Sequence, residues 1–420
     1  MITNRYNFNS ALIYFFVVYG ISIVLFDMIL RPMQFILAIT VLILFFILLN
    51  KLTIDRIIIK YGILILLYFI YSVYIYFFGN YHDSLLIKGN TLYVVIFFSA
   101  IFLSKYYFSK ISEIDLLKII FYSTIVYSFF IVLMASFEII KVFFYSFIPI
   151  SDYFLEKAGT YRIISPNGLK AAYLSVVLTV GMISGLLIRQ FINKILFWSG
   201  IVVILCAILY SGRTGLLLLI LLSPLIMSMQ FRKIKNQIIY FNLIFISLIF
   251  FALFIYLNID LIASLSPALK RLLDSLIPLL EGRISEVPTI KILMDTHYFL
   301  PNNPLEIIFG TGSMGRSEIN FISSDVGYVR TIFSTGIIGS ILLYSIYFFI
   351  LIKSFQYMKN SLLMKYTFII SLIVFIYHSK EISMGTMHLS FMLFVPFFTF
   401  LYKLKNQKKE NCNETIHSIS

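Results

Sequence analysis

The chain has 420 residues, of which 60% are hydrophobic and only 12% charged, and its mean hydropathy is +0.96. That is more apolar surface than a water-soluble fold can bury. Net charge is +14, from 33 Lys and Arg against 19 Asp and Glu. Most of the lysines sit in short loops between apolar runs, and no basic stripe with interleaved aromatics lies on a soluble segment, which excludes nucleic acid as a partner. The two cysteines, Cys206 in an apolar run and Cys412 in a polar tail, supply neither a disulfide framework nor a thiolate metal site.

A helix needs roughly 20 mostly apolar residues to cross about 30 Å of hydrocarbon, because lipid offers no partner to an unpaired backbone amide. On that measure membrane helices are expected at 11–30, 33–49, 57–78, 91–108, 116–134 and 169–188. Further helices are expected at 195–210, 214–229, 238–257, 326–352, 366–377 and 384–402. The first run is too long for a signal-peptide core and lacks a small-residue cleavage pattern, so it reads as a retained helix. The expected fold is therefore an all-α integral membrane protein with about 12 transmembrane helices, forming one polytopic domain over residues 1–420.

Basic residues then set the orientation. With the N-terminus in the cytoplasm, the inner loops carry Lys51 and Arg56, Lys105 and Lys110, Arg189 and Lys194, Arg232, Lys233 and Lys235, and Lys353 and Lys359. The tail 403–420 adds Lys403, Lys405, Lys408 and Lys409. The outer loops hold fewer, so the positive-inside rule predicts that both termini are cytoplasmic. One large external loop, 258–325, repeats Ile262, Leu265, Leu269, Leu272, Leu273, Leu276, Leu279 and Leu280 at helical spacing, as expected of an interfacial helix lying on the membrane.

Charge is scarce within the apolar runs, and the informative arginines fall on the outer face: Arg162, Arg213, Arg283, Arg316 and Arg330. Arg213 lies in Ser211-Gly-Arg-Thr-Gly215 between two apolar runs, where a guanidinium is costly without an anion or a watery cavity. A planar guanidinium grips phosphate oxygens at two points, whereas lysine offers only a point charge. The bland alternative is an anchor that snorkels to the interface.

Arg162 lies in Tyr161-Arg-Ile-Ile-Ser-Pro-Asn-Gly168, where Ser165 or Asn167 suits a helix cap. Arg283 follows the leucine-rich stretch in Glu281-Gly-Arg-Ile-Ser285, where a solvated loop charge is the plain alternative. Gly310-Thr-Gly-Ser-Met-Gly315 has dinucleotide-loop spacing but no strand-helix-strand unit around it, and a tight turn near the membrane is expected instead. Asp325 sits before the expected tenth helix, either as a proton acceptor or as an N-cap. The histidines, among them His297 and His378, are scattered without metal spacing.

Taken in order, the segment from Arg162 to Gly168, the Ser211–Gly215 turn, Arg283, the Gly310–Gly315 glycines, Ser324-Asp-Val-Gly-Tyr328 and Thr335-Gly-Ile-Ile-Gly339 resemble a known family. It is that of the polytopic O-antigen and capsule polymerases, with the related O-antigen ligases, and the resemblance covers most of the chain. It implies a membrane glycosyltransferase at the periplasmic face of the bacterial inner membrane. The donor would be an oligosaccharide repeat unit on polyprenyl pyrophosphate, and the acceptor a hydroxyl of another lipid-linked unit.

The resemblance further implies catalytic roles for Arg213, Arg283 and Asp325, and substrate binding by Arg162, Asn167, Tyr328 and Arg316, with no cofactor and no metal. Membrane lipid, the repeat-unit flippase and a chain-length-regulating membrane protein are the partners it implies. In the ligase branch a histidine commonly occupies the position resembling Asp325, so the aspartate favours a polymerase.

Overall fold

The structure is a computed structural model that describes residues 2–19, 23–25, 28–30, 56–146, 163–166, 168–169, 171–230, 293–314 and 322–417, with the single positions 278, 282, 283 and 291. The expected helices at 33–49 and 238–257 and nearly all of the leucine-rich stretch of the expected external loop lie outside the described residues.

Helices dominate. They are α1 (Ile2–Tyr19), α2 (Arg56–Phe78), α3 (Ser84–Tyr106), α4 (Glu113–Ser136), α5 (Glu138–Tyr145), α6 (Ala171–Leu187), α7 (Lys194–Ser211), α8 (Thr214–Gln230), α9 (Pro304–Phe309), α10 (Gly327–Tyr357), α11 (Leu362–His378) and α12 (Met387–His417). Among the described residues six helical stretches are long and apolar enough to cross a bilayer: Ile59–Phe78, Ser84–Lys110, Glu113–Ser136, Lys194–Ser211, Gly327–Tyr357 and Met387–Gln407. Ala171–Leu187, Thr214–Gln230 and Leu362–His378 are apolar and somewhat shorter. The protein is thus a multi-pass helical membrane protein.

The first apolar run does not form one helix. α1 ends at Tyr19, and the rest of the run holds a two-stranded antiparallel ladder, β1 (Ile23–Leu25) with β2 (Met28–Leu30), in the register Val24 opposite Ile29. Unbroken hydropathy hides this change, because apolarity alone does not separate a short strand from a helix.

The chain divides into two compact units. One comprises Met1–Val18, Met33–Ile119 and His297–Ser420, and the other Tyr19–Pro32 and Ile120–Thr296. In the first, α12 packs on α3 and α11, and α10 packs on α2, α9 and α11. Its core is aromatic: Phe97 meets Phe394 edge-on at 5.2 Å, Phe97 meets Phe398 at 5.4 Å, and Tyr93 stacks on Tyr347 at 6.3 Å. Such pairs add specific geometry to packing where lipid offers little hydrophobic drive.

In the second unit α6 is buried along nearly its whole length, as a helix apolar on every side must be. Small residues admit its neighbours. A Cβ at Gly181 would lie 2.0 Å from Thr124 Oγ1, and one at Gly185 2.3 Å from the Phe121 ring, the close approach that glycines permit between membrane helices. α5 inverts the usual pattern, since Ile139, Val142 and Phe143 face outward while Phe144 packs edge-on against Phe130 of α4 at 6.1 Å.

Caps fix the helix ends in the first unit. Glu113 accepts the Ser361 hydroxyl at 2.8 Å and the amides of Leu362 and Leu363 at 2.9 and 3.3 Å, so a carboxylate neutralises the amino end of α11. Replacing Glu113 by Ala is expected to cost about 1–2 kcal/mol. A thermal melt of the detergent-solubilised protein checks this, and an unchanged midpoint would remove the cap from the account.

Candidate functional site

Two polar clusters are built from the residues singled out above, one in each unit. The first surrounds the start of α10. Its last preceding residue, Val326, brings no side-chain cap, so Asp325 is not the N-cap that its position allowed. Its side chain is 70% exposed and lies 3.6 Å from the Arg330 guanidinium. Arg330 itself is buried. It donates from Nε to the Ser324 carbonyl at 2.5 Å and from Nη1 to the Met314 carbonyl at 3.5 Å. One buried guanidinium, one turn inside a spanning helix, therefore holds two loop strands and a water-facing carboxylate together. A charge at such a position requires this pairing.

His297 joins the cluster from the segment that precedes α9. The Ser324 hydroxyl donates to the His297 carbonyl at 2.6 Å, and the Asp325 amide donates to His297 Nδ1 at 3.2 Å. His378, at the end of α11, is fully buried. Its Nδ1 accepts the amides of Ser383 and Met384 at 3.2 and 3.4 Å, while Nε2 faces the hydroxyls of Thr331 at 3.3 Å and Tyr344 at 3.4 Å. Tyr328 lies edge-on over this imidazole at 4.7 Å, and its hydroxyl donates to the Phe375 carbonyl at 3.0 Å. Gly327 makes room for the ring, since a Cβ there would come within 2.4 Å of Nδ1.

The glycine segment forms the tight turn expected of it. α10 is kinked at Gly336, whose φ of 65° and ψ of −172° are non-helical. The segment crosses at that kink: Thr311 donates its amide to the Phe333 carbonyl at 2.7 Å, and Gly312 to the Ser334 carbonyl at 3.1 Å. Irregular backbone at membrane depth is tolerated when protein partners satisfy it in this way. Asp83 clamps the other side, with one carboxylate oxygen accepting the Leu85 amide at 2.9 Å and the other the Met314 amide at 2.9 Å. Two glycine motifs far apart in sequence thus interlock, and their glycines have a structural reason to be present.

The second cluster lies at the turn between α7 and α8, which only Gly212 and Arg213 separate. Arg213 is half-buried, and its carbonyl accepts the Leu217 amide at 3.0 Å. The guanidinium therefore belongs to the residue at the amino end of α8, where helix dipole and side chain both favour an anion. Gly215 seats this end on α6: its amide donates to Ser175 Oγ at 3.0 Å, and a Cβ would meet the Ser175 carbonyl at 2.3 Å.

The segment that precedes α6 also reaches this turn. Ile163 donates to the Tyr210 carbonyl at 3.3 Å, and Ile164 to the Tyr145 hydroxyl at 3.0 Å. Burial raises the Tyr145 phenol above its ordinary range, and the Ile164 amide draws it back in part. Ser165 turns its amide and hydroxyl onto the Leu169 carbonyl at 3.0 and 3.1 Å. Arg283 is exposed after Gly282, with its amide on the Pro278 carbonyl at 2.7 Å.

Of the expected site residues, then, Asp325 and Tyr328 both stand at the start of α10, Arg213 sits at the α7–α8 turn, and Arg283 lies in an exposed turn. Arg162, Asn167 and Arg316 lie outside the described residues. Two members of the α10 cluster were given no role from the sequence, although Arg330 stood among its informative arginines. Arg330 carried a signal, as a charge inside an apolar run. His297 carried none, because only tertiary folding brings it to Asp325. Among the described residues no three His, Cys, Asp or Glu side chains are grouped as metal ligands.

These features define a multi-pass helical membrane protein with polar clusters set at helix ends. No protein-family model matches the chain, and no curated protein or solved structure matches it.

Proposed function

We propose that the protein is a polysaccharide polymerase that joins polyprenyl-pyrophosphate-linked oligosaccharide repeat units at the periplasmic face of the bacterial inner membrane, with both termini in the cytoplasm. In the reaction a hydroxyl of one lipid-linked unit attacks the anomeric carbon of another. The anomeric carbon–phosphate oxygen bond breaks, a glycosidic bond forms, and polyprenyl pyrophosphate leaves. Negative charge builds on the leaving pyrophosphate, so preorganised cations lower the barrier. Arg213 and Arg283 are assigned to that charge, Arg162 and Arg316 to phosphate or sugar binding, with Asn167 and Tyr328 as further substrate contacts. Asp325 takes the hydroxyl proton and passes it to water.

The observation that carries this reading is Arg213, a half-buried arginine at the amino end of α8 between two apolar helices. Guanidinium and helix end converge on the chemistry of a lipid-borne phosphate. Deleting the gene and running the surface polysaccharide on a gel tests it, in a strain that decorates a lipid A core. Loss of a polymerase leaves single repeat units on the core. A bare core with polymer held on the lipid carrier would instead mean a ligase, and repeat units that never reach the outer side would mean a flippase.

A further inference from the structure

Building on the polymerase reading, we propose that Tyr298, His297 and Asp325 form the subsite for the acceptor sugar, with the Tyr298 ring as its floor. A pyranose presents two kinds of surface, a face of C–H groups and a rim of hydroxyls. An electron-rich aromatic face suits the first, and a carboxylate beside a hydrogen-bond donor suits the second.

Tyr298 supplies a fixed ring. Its hydroxyl donates to the Ser379 carbonyl at 2.6 Å, yet the residue stays 44% exposed. The next residue, Phe299, packs edge-on against Phe333 at 5.5 Å, which holds the backbone in place. A ring already immobilised loses little entropy when a ligand stacks on it.

His297, directly before Tyr298, supplies the donor. Because its Nδ1 accepts the Asp325 amide at 3.2 Å, the neutral imidazole carries its proton on Nε2, which is then a hydrogen-bond donor. That tautomer makes His297 a hydroxyl-binding donor rather than the base. Asp325 keeps the accepting role, with one carboxylate oxygen toward Arg330 at 3.6 Å.

An exposed tyrosine in a membrane protein can also anchor the lipid interface. The surroundings decide against that here. A carboxylate as exposed as Asp325 sits in water rather than hydrocarbon. The ring's own anchor, Ser379, opens a loop that carries Lys380 and Glu381, and the Glu381 carboxylate accepts the Tyr377 hydroxyl at 2.5 Å. Tyr298 is thus tied to a loop that carries charged side chains.

The test uses the oligosaccharide released by mild acid from the lipid-linked repeat units that accumulate when the gene is deleted. Saturation-transfer NMR with the full-length protein in nanodiscs measures its binding. The wild type should transfer magnetisation to the sugar C–H protons, Tyr298→Leu should bind at least about tenfold more weakly, and Tyr298→Trp, which offers an aromatic face without the hydroxyl anchor, should bind within about threefold of the wild type. Tyr298→Phe, which keeps the ring and loses its anchor, should weaken binding only about threefold and so separates stacking from folding. Equal binding by the wild type and Tyr298→Leu, or none by the wild type, would overturn the subsite alone. A deletion strain that still makes normal polymer would remove the polymerase reading and the subsite with it.

Discussion

Replacing Arg213 by Lys is expected to lower polymer formation about 10²-fold although the positive charge is kept. Gly212 and Arg213 are all that separates α7 from α8, and the position is half-buried, so the side chain acts where water screens it poorly. In the proposed reaction two phosphate oxygens gain charge together as the anomeric bond breaks. A planar guanidinium meets both at once, whereas an ammonium meets one and must be rehydrated or re-aimed for the other. The backbone bond to Leu217 at 3.0 Å and the Gly215 contact with Ser175 do not involve the side chain and are kept by the substitution. Polymer on a gel, normalised to the amount of protein in the membrane, is the readout. Near-normal polymer from a well-expressed Arg213→Lys protein would remove the clamp from the mechanism.

The largest effect on stability is expected at Gly336. Its backbone, at φ 65° and ψ −172°, occupies a region open essentially to glycine alone, which costs other residues about 1–3 kcal/mol. An added Cβ would also lie 2.3 Å from the Ile308 carbonyl oxygen and 2.5 Å from the Gly310 nitrogen. All of these are backbone atoms, held by the Thr311 and Gly312 bonds to α10, so they cannot swing aside as a side chain can. Gly336→Ala should therefore cost more than about 3 kcal/mol and release the segment that leads to Met314 and Arg330. Gly89→Ala is the control, since nothing lies within 4 Å of its Cβ position and alanine favours a helix by about 1 kcal/mol. In detergent the first variant should melt well below the wild type and the second at or above it. Equal melting of Gly336→Ala and wild type would mean that the interlock contributes nothing.

The helices were legible because hydropathy over a span is a strong, local signal. The runs at 57–78, 116–134 and 195–210 reappear as Arg56–Phe78, Glu113–Ser136 and Lys194–Ser211. The run at 11–30 misled, since Ile23, Val24 and Ile29 are as apolar in a ladder as in a helix. The short helices α5 and α9 were not foreseen, being too brief to show a period. α9 is set by local chemistry, with Asn303 capping the Leu305 amide and Pro304 at its first turn.

For the α10 cluster the sequence pointed to Asp325, Tyr328 and Arg330 but not to the contacts that Asp325 makes with Arg330 and His297. A capping role was chemically reasonable for an aspartate before a helix, yet the cap position is Val326, with no side-chain bond, and the Asp325 carboxylate faces Arg330. Contacts such as His297 to Asp325 or Asp83 to Met314 span long stretches of chain, and no pattern of spacing encodes them. The glycine segments were legible as turns. That each exists to receive the other was not, because a close approach of two backbones appears only when both are placed.

The polymerase reading is tested most directly with purified protein and the lipid-linked repeat unit as the only substrate. Chains of two and more units should form on the lipid, with one polyprenyl pyrophosphate released for each new glycosidic bond. Repeat units that remain single, with no polyprenyl pyrophosphate released by an intact and folded protein, would contradict the account.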